Sequence, residues 1–202
     1  MRNILLVGVG GQGTVLAAKV LAQAAQSKGW QVRTAETIGM AQRGGSVTSH
    51  VRMGDAGEAV HAPLVSPGTA DVIIAFEPGE AARALPYLAP GGIIVSASTV
   101  VQPVTAALSS QTYRAQDVIE ALEGELRGRS AKLHVIDDAA LIAQAGGSRR
   151  ALNTVLLACA VAYQAVPLSA DELKDAIAAC VKPRFVEMNL AAVDAAIRAV
   201  LR

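Results

Sequence analysis

The chain opens on a short apolar segment, Asn3 to Val9, that ends in the glycine-rich turn Gly8-Val9-Gly10-Gly11-Gln12-Gly13. Behind the turn, Val15, Leu16, Ala18, Val20, Leu21 and Ala24 recur at helical spacing until Lys28-Gly29 closes the pattern. Residues 31–36 alternate β-branched and polar side chains, which predicts a second strand and completes a βαβ unit of about 35 residues. A Gly-punctuated loop from Thr37 to Gly45 leads to residues 46–53, where Val47, Ser49, Val51 and Met53 mark a further alternating strand. Only about nine residues join these two strands. A parallel crossover needs a dozen or more, so the strand at 46–53 is expected to run antiparallel within a mixed sheet.

Residues 72–76 read as a fully apolar strand, followed through Glu77-Pro78-Gly79 by a short helix at 80–88, a stop at Ala89-Pro90-Gly91-Gly92 and another strand at 93–96. Stretches 61–68 and 98–111 read as loops, 116–126 as helix and 133–136 as the last strand, with Asp137 or Asp138 capping the helix after it. Four helical stretches complete the chain, at 139–145, 151–165, 169–181 and 184–201; Ser169 and Glu172 form a capping box at the third. The pattern predicts an α/β protein: a three-layer, Rossmann-like α/β/α fold with a mixed, mostly parallel sheet and a helical C-terminal region, as a single domain over residues 1–202.

Composition adds mainly exclusions. With 202 residues, 52% of them hydrophobic and 17% charged, the chain can bury a substantial core. A net charge of +1, scattered rather than blocked, gives no pull toward nucleic acid or an anionic membrane. No apolar stretch reaches the roughly 18 residues of a membrane span, and the start lacks a secretory pattern, so a cytoplasmic location is expected. Cys159 and Cys180 are too few for the four thiolates of an iron–sulfur cluster and are expected as buried thiols. His50, His61 and His134 show no metal-ligand spacing, and Ser46, Ser49 and His50 lack a nucleophile elbow. Neither a catalytic nor a metal-ligating residue is nominated.

Two segments carry candidate binding chemistry. Gly8-x-Gly10-x-x-Gly13 lies between a strand and a helix, where glycines permit a tight turn and the N–H groups of the helix start face a phosphate. Glu36 follows Gly13 by 23 residues, near the end of the second strand, where a dinucleotide-binding domain uses an acid to hold a ribose hydroxyl. Taken alone, this suggests an autonomous NAD(P)-binding oxidoreductase. The second segment, Gly39-Met40-Ala41-Gln42-Arg43-Gly44-Gly45-Ser46, frees the backbone at its glycines and offers the Arg43 guanidinium to an anion or a partner surface. Loops at the carboxyl ends of neighbouring strands share a crevice, which brings Arg43 toward Gly10–Gly13. A purely structural reading makes the glycines packing devices and the Arg43 loop an interface contact.

Together, Leu6-Val7-Gly8-Val9-Gly10-Gly11-Gln12-Gly13, the Gly39–Val47 segment and Ser49-His50-Val51-Arg52 resemble the gamma subunit or domain of 2-oxoacid:ferredoxin oxidoreductases. The Gly-Met-Ala-Gln-Arg-Gly-Gly form looks most like the small subunit of the indolepyruvate-type enzymes. The resemblance runs on through Phe76-Glu77-Pro78, Leu88-Ala89-Pro90-Gly91-Gly92 and the Asn153 and Asn189 regions. It implies an accessory subunit, inactive alone, of an enzyme that converts a 2-oxoacid and coenzyme A (CoA) to an acyl-CoA and carbon dioxide while reducing ferredoxin. Thiamine diphosphate and iron–sulfur clusters are then expected on a larger partner subunit, because this chain has no Gly-Asp-Gly motif, Gly54-Asp55 being followed by Ala56. The resemblance also implies a CoA contact at Gly8, Gly10, Gly11, Gln12, Gly13, Thr14, Lys19, Gln42, Arg43, Gly44 and Gly45, although Gln42-Arg43 stands where the pyruvate enzymes carry two lysines.

Overall fold

The computed structural model describes residues 1–39, 44–102 and 113–201. Its six strands are β1 (Arg2–Val9), β2 (Val32–Ile38), β3 (Ser46–Met53), β4 (Ala70–Ala75), β5 (Leu88–Ala97) and β6 (Lys132–Ile136). They form one sheet in the order β2-β3-β1-β4-β5-β6. Among these, β3 alone runs opposite to the rest, antiparallel to both β1 and β2, while β1-β4, β4-β5 and β5-β6 pair in parallel. This is the mixed, mostly parallel sheet expected from the short β2–β3 connection.

The place of β3 was not legible from periodicity. It inserts between β1 and β2, so the first two strands share a direction without touching. Burial explains the order. Val47, Ser49, His50, Val51 and Met53 are all buried, whereas β2 exposes Arg33, Thr34, Glu36, Thr37 and Ile38. β3 takes the position with two neighbours, and β2, five of whose seven residues are exposed, tolerates the solvated edge.

Helices cover both faces. α2 (Pro78–Ala84) and α3 (Ala115–Leu126) pack on Leu5, Val7, Ile73 and Ile94. On the other face, α1 (Thr14–Ser27), α4 (Asp138–Gln144), α5 (Leu152–Ala162), α6 (Ala170–Cys180) and α7 (Val186–Val200) pack on Ile4, Leu6, Val51, Val72 and Ile74. Successive β1 residues thus serve opposite cores, as the strand period of two requires. α5 is buried from Leu152 to Val161 and acts as the hub of the C-terminal layer. Its apolar character all round, with Ala158 and Ala160, lets α1, α6 and α7 close on it. Among the described residues no helix is long and apolar enough to cross a membrane.

Local differences from the sequence expectation have local causes. α2 gives way at Leu85–Tyr87 to a 3₁₀ turn, because Pro86 has no N–H to continue it. β5 starts at Leu88, through the predicted Ala89–Gly92 stop, because a register shift between Ala70 and Val72 accommodates the irregular segment. Cys159 is buried as expected. Cys180 is half-buried, beside a surface hollow, rather than in the core.

Candidate functional site

The Gly-rich turn leaves β1 at the centre of the carboxyl edge of the sheet. Gly11 and Gly13 have φ of 97° and 90°, a left-handed conformation that side chains resist. Gly8 is required for a different reason. Gln12 folds back over it, its Oε1 accepting from the Val9 N–H at 2.7 Å and its Nε2 donating to the Phe76 carbonyl at 3.0 Å. A methyl at Gly8 would lie 2.8 Å from that Oε1 and 2.9 Å from Phe76 Cβ. Gly8 and Gln12 therefore tie the turn to the end of β4. Gly8→Ala is expected to destabilise the chain by about 1–3 kcal/mol, read from the denaturation midpoint.

Gly13 caps α1 without a side chain, so no side-chain acceptor meets the N–H groups of the first turn. Thr14 sits at that start only 3% exposed, and its hydroxyl makes no hydrogen bond among the described residues. Together they open on a groove of about 520 Å³ lined by Gly11, Gly13, Thr14, Val15, Leu16, Lys19, Ile38 and Val47. Val15 and Ile38 are 47% and 65% exposed, an apolar patch at the mouth. Lys19 makes no ion pair among the described residues. A polyanion with an apolar arm suits this combination of donors, cation and apolar wall.

The β2–β3 loop returns against the turn, with the Gly10 N–H donating to the Gly45 carbonyl at 2.9 Å. Gly44 and Gly45 thus lie beside Gly10. Gln42 and Arg43 lie outside the described residues. A smaller cavity of about 190 Å³ sits among Val9, Gly44, Ser46, Glu77, Glu80 and Arg83. Its two carboxylates are buried and fully engaged. Glu80 pairs with Arg83 and accepts from Ser46, while Glu77 accepts from the Tyr113 hydroxyl at 2.8 Å and the Glu80 N–H at 3.0 Å. Burial and the Glu77 carboxylate push the Tyr113 hydroxyl well above its ordinary value, so it stays a donor. These acids were missed in the sequence, although an acid directly before Pro78 at a helix start signals an N-cap.

Asp137 and Asp138 divide the work expected of either. Asp137 caps α4 through the Ala140 N–H at 3.0 Å. Asp138, buried, accepts from the Ser98 and Thr99 N–H groups at 3.1 and 2.9 Å and meets Arg149 at 3.3 Å. His50 is buried with Nδ1 accepting from the Val65 N–H at 3.1 Å, and burial holds it below the usual histidine range. His134 stacks on Tyr163 with ring centroids 3.8 Å apart. Neither approaches the Gly-rich turn as a ligand. Glu36 lies opposite Ser49, with β3 between it and β1, so it stands two strand spacings, ~10 Å, from β1 instead of the single spacing a ribose acid needs. The inserted strand removes the geometric basis of a dinucleotide site.

Residues 3–199 match the family described as pyruvate ferredoxin/flavodoxin oxidoreductase. The chain belongs to this family. It is 37% identical to the indolepyruvate oxidoreductase subunit IorB of Pyrococcus horikoshii, covering 98% of this chain and 95% of that protein. The family fold is also evident in solved structures. The keto/oxoacid ferredoxin oxidoreductase gamma subunit of Geobacter sulfurreducens superposes with a TM-score of 0.69 at 21% identity, over 100% of this chain and 99% of that one. The 2-oxoglutarate:ferredoxin oxidoreductase of Magnetococcus marinus, solved with 2-oxoglutarate, coenzyme A and succinyl-CoA, gives 0.70 at 20% identity, over 98% of this chain and 31% of that one. In that enzyme the same fold is one part of a longer chain.

Proposed function

We propose that the chain is the small, non-catalytic subunit of a 2-oxoacid:ferredoxin oxidoreductase that acts on an aryl pyruvate, indolepyruvate foremost. The net reaction joins the acyl group of the 2-oxoacid to the CoA sulfur and releases carbon dioxide. Two electrons pass to ferredoxin and the thiol hydrogen leaves as a proton. The identity to IorB-named relatives, 34–38% over 94–98% of the chain, supports the substrate class.

In this reading a larger subunit holds thiamine diphosphate and the iron–sulfur clusters, which supply the decarboxylation chemistry and the electron path. The cysteines here do not fit a cluster: Cys159 is buried with its thiol pushed up to about 12, and Cys180 is its sole companion. The chain's own contribution is to bind and orient. The observation that carries the proposal is the start of α1, with N–H groups that no side chain caps and Thr14 beside Lys19 on an open, part-apolar groove. CoA combines phosphates with an apolar pantetheine arm and matches both halves of that groove. Gly10, Gly44 and Gly45 let the two loops close at its end, and the exposed Val15 and Ile38 suit cover by the partner.

The test is reconstitution. Co-expressed with the adjacent large subunit, the chain is expected to restore 2-oxoacid- and CoA-dependent dye reduction, with no turnover by the chain alone. A large subunit equally active without it would reject the proposal.

A further inference from the structure

β2 forms one edge of the sheet, and no strand among the described residues lies beyond it. The ladder fixes which of its backbone groups face outward. The Gly39 N–H donates to the Ser46 carbonyl and the Gly54 N–H to the Gln31 carbonyl, both at 2.9 Å. Bonds in an antiparallel ladder involve every second residue, so the odd-numbered residues from Gln31 to Gly39 face β3. The N–H and C=O groups of Val32, Thr34, Glu36 and Ile38 therefore point away from the sheet. Among the described residues one of these groups is met, the Val32 carbonyl, by the Arg33 guanidinium at 3.0 Å. Natural edge strands carry proline, lysine or a bulge that discourages pairing. β2 has none of these and keeps unbroken register with β3 along its whole length.

The strand is also its own complement. A twofold axis through Ala35, normal to the sheet, sets a second copy antiparallel to the first. Val32 then faces Ile38 of the second copy, Arg33 faces Thr37, Thr34 faces Glu36, and Ala35 faces itself. Every outward-facing residue meets an outward-facing residue, so the free N–H and C=O groups all gain ladder partners. The side chains agree as well: β-branched apolar groups meet at both ends, a hydroxyl meets a carboxylate, an arginine meets a hydroxyl, and the smallest residue sits on the axis. Ile38, 65% exposed, acquires an apolar neighbour. Neighbouring registers lose this match. An axis at Glu36 sets two carboxylates against each other, and an axis at Thr34 puts Val32 against Glu36 and leaves Ile38 without a partner.

We infer that a second copy of this chain docks at β2 and continues the sheet through a twofold axis at Ala35. The match is reciprocal, which a second copy satisfies without any other sequence being specified. The inference stands apart from the CoA reading, because Thr34, Ala35 and Glu36 line neither the groove of Thr14 and Lys19 nor the cavity beside Glu80. Val15 takes no part in the pairing and stays open to the large subunit.

Cross-linking tests the register directly. Ala35 turns its N–H and C=O toward β3, so the two Ala35 residues form a non-hydrogen-bonded pair with Cα atoms about 4.5 Å apart, within reach of a disulfide. Ala35→Cys is expected to give a disulfide-linked dimer on mild oxidation, both in the full-length chain and in the reconstituted complex. Thr37→Cys is expected to give none, and the wild-type chain, with Cys159 and Cys180, is the blank. Sedimentation equilibrium of the unlinked chain is expected to show a dimer that Thr34→Glu weakens by roughly tenfold, because the new carboxylate stands opposite Glu36 of the other copy. Adding Glu36→Lys to that variant should restore association, since the opposed charges then attract. A wild-type chain that sediments as a monomer, a dimer indifferent to Thr34→Glu, or equal linking through positions 35 and 37 would overturn the inference. Linking lost in the complex, with the β2 amides protected there by the large subunit, would assign the edge to that subunit and reject the second copy.

Discussion

Gly13→Val is expected to be the most damaging single substitution in the Gly-rich turn, lowering stability by about 3–5 kcal/mol and the melting temperature by roughly 10 °C. Two costs combine. The backbone φ of 90° is one that a β-branched residue resists, and the first added carbon would lie 3.2 Å from Nδ2 of Asn153. Asn153 is buried on α5, the hub of the C-terminal layer, and its side chain must shift to accept that carbon. Gly29, at the other end of α1, provides the control. Its φ is 75° and nothing lies within 4 Å of a methyl there, so Gly29→Val carries the strain without the collision. Equal losses for the two variants would show that the α1–α5 contact at Gly13 does not matter. In the complex, Gly13→Val should also abolish CoA-dependent turnover, because the donors of the first turn move with the collision.

Lys19→Glu is expected to raise the apparent KM for CoA by about tenfold or more while leaving kcat nearly unchanged, since it removes a binding charge and places a like charge beside the phosphates. Lys19 is exposed and engages no acid among the described residues, so folding should be untouched. The effect should shrink as salt rises, because the contact is open to solvent. Thr14→Val supplies the neutral comparison: it deletes the hydroxyl, keeps the shape, and should raise KM less and without salt dependence. A Lys19→Glu enzyme with wild-type KM at low salt would show that CoA phosphates do not pass this groove.

Much of the architecture was legible in the sequence because each local signal agreed with its neighbour. The apolar run before Gly8, the capping box at Ser169 and the short β2–β3 loop each specified a piece of the α/β/α sandwich, including the antiparallel sense of β3. Strand order was not legible, because periodicity reports which faces are buried and not which strands are neighbours. That gap left the NAD(P) alternative open: Glu36 reads as a ribose acid only if β2 lies beside β1, and β3 occupies that place. The site was half legible. Gly11, Gly13, Thr14 and Lys19 line one groove, whereas Gly8 and Gln12 brace the turn against Phe76.

The central claim is that the start of α1 touches CoA in the assembled enzyme, and hydrogen–deuterium exchange of the reconstituted complex reads those amides directly. With CoA present, the N–H groups of Gly13, Thr14, Val15 and Leu16, which no side chain caps, are expected to exchange at least tenfold more slowly than without it. CoA-induced protection confined to the large subunit, with the 13–16 amides unchanged, would contradict the claim.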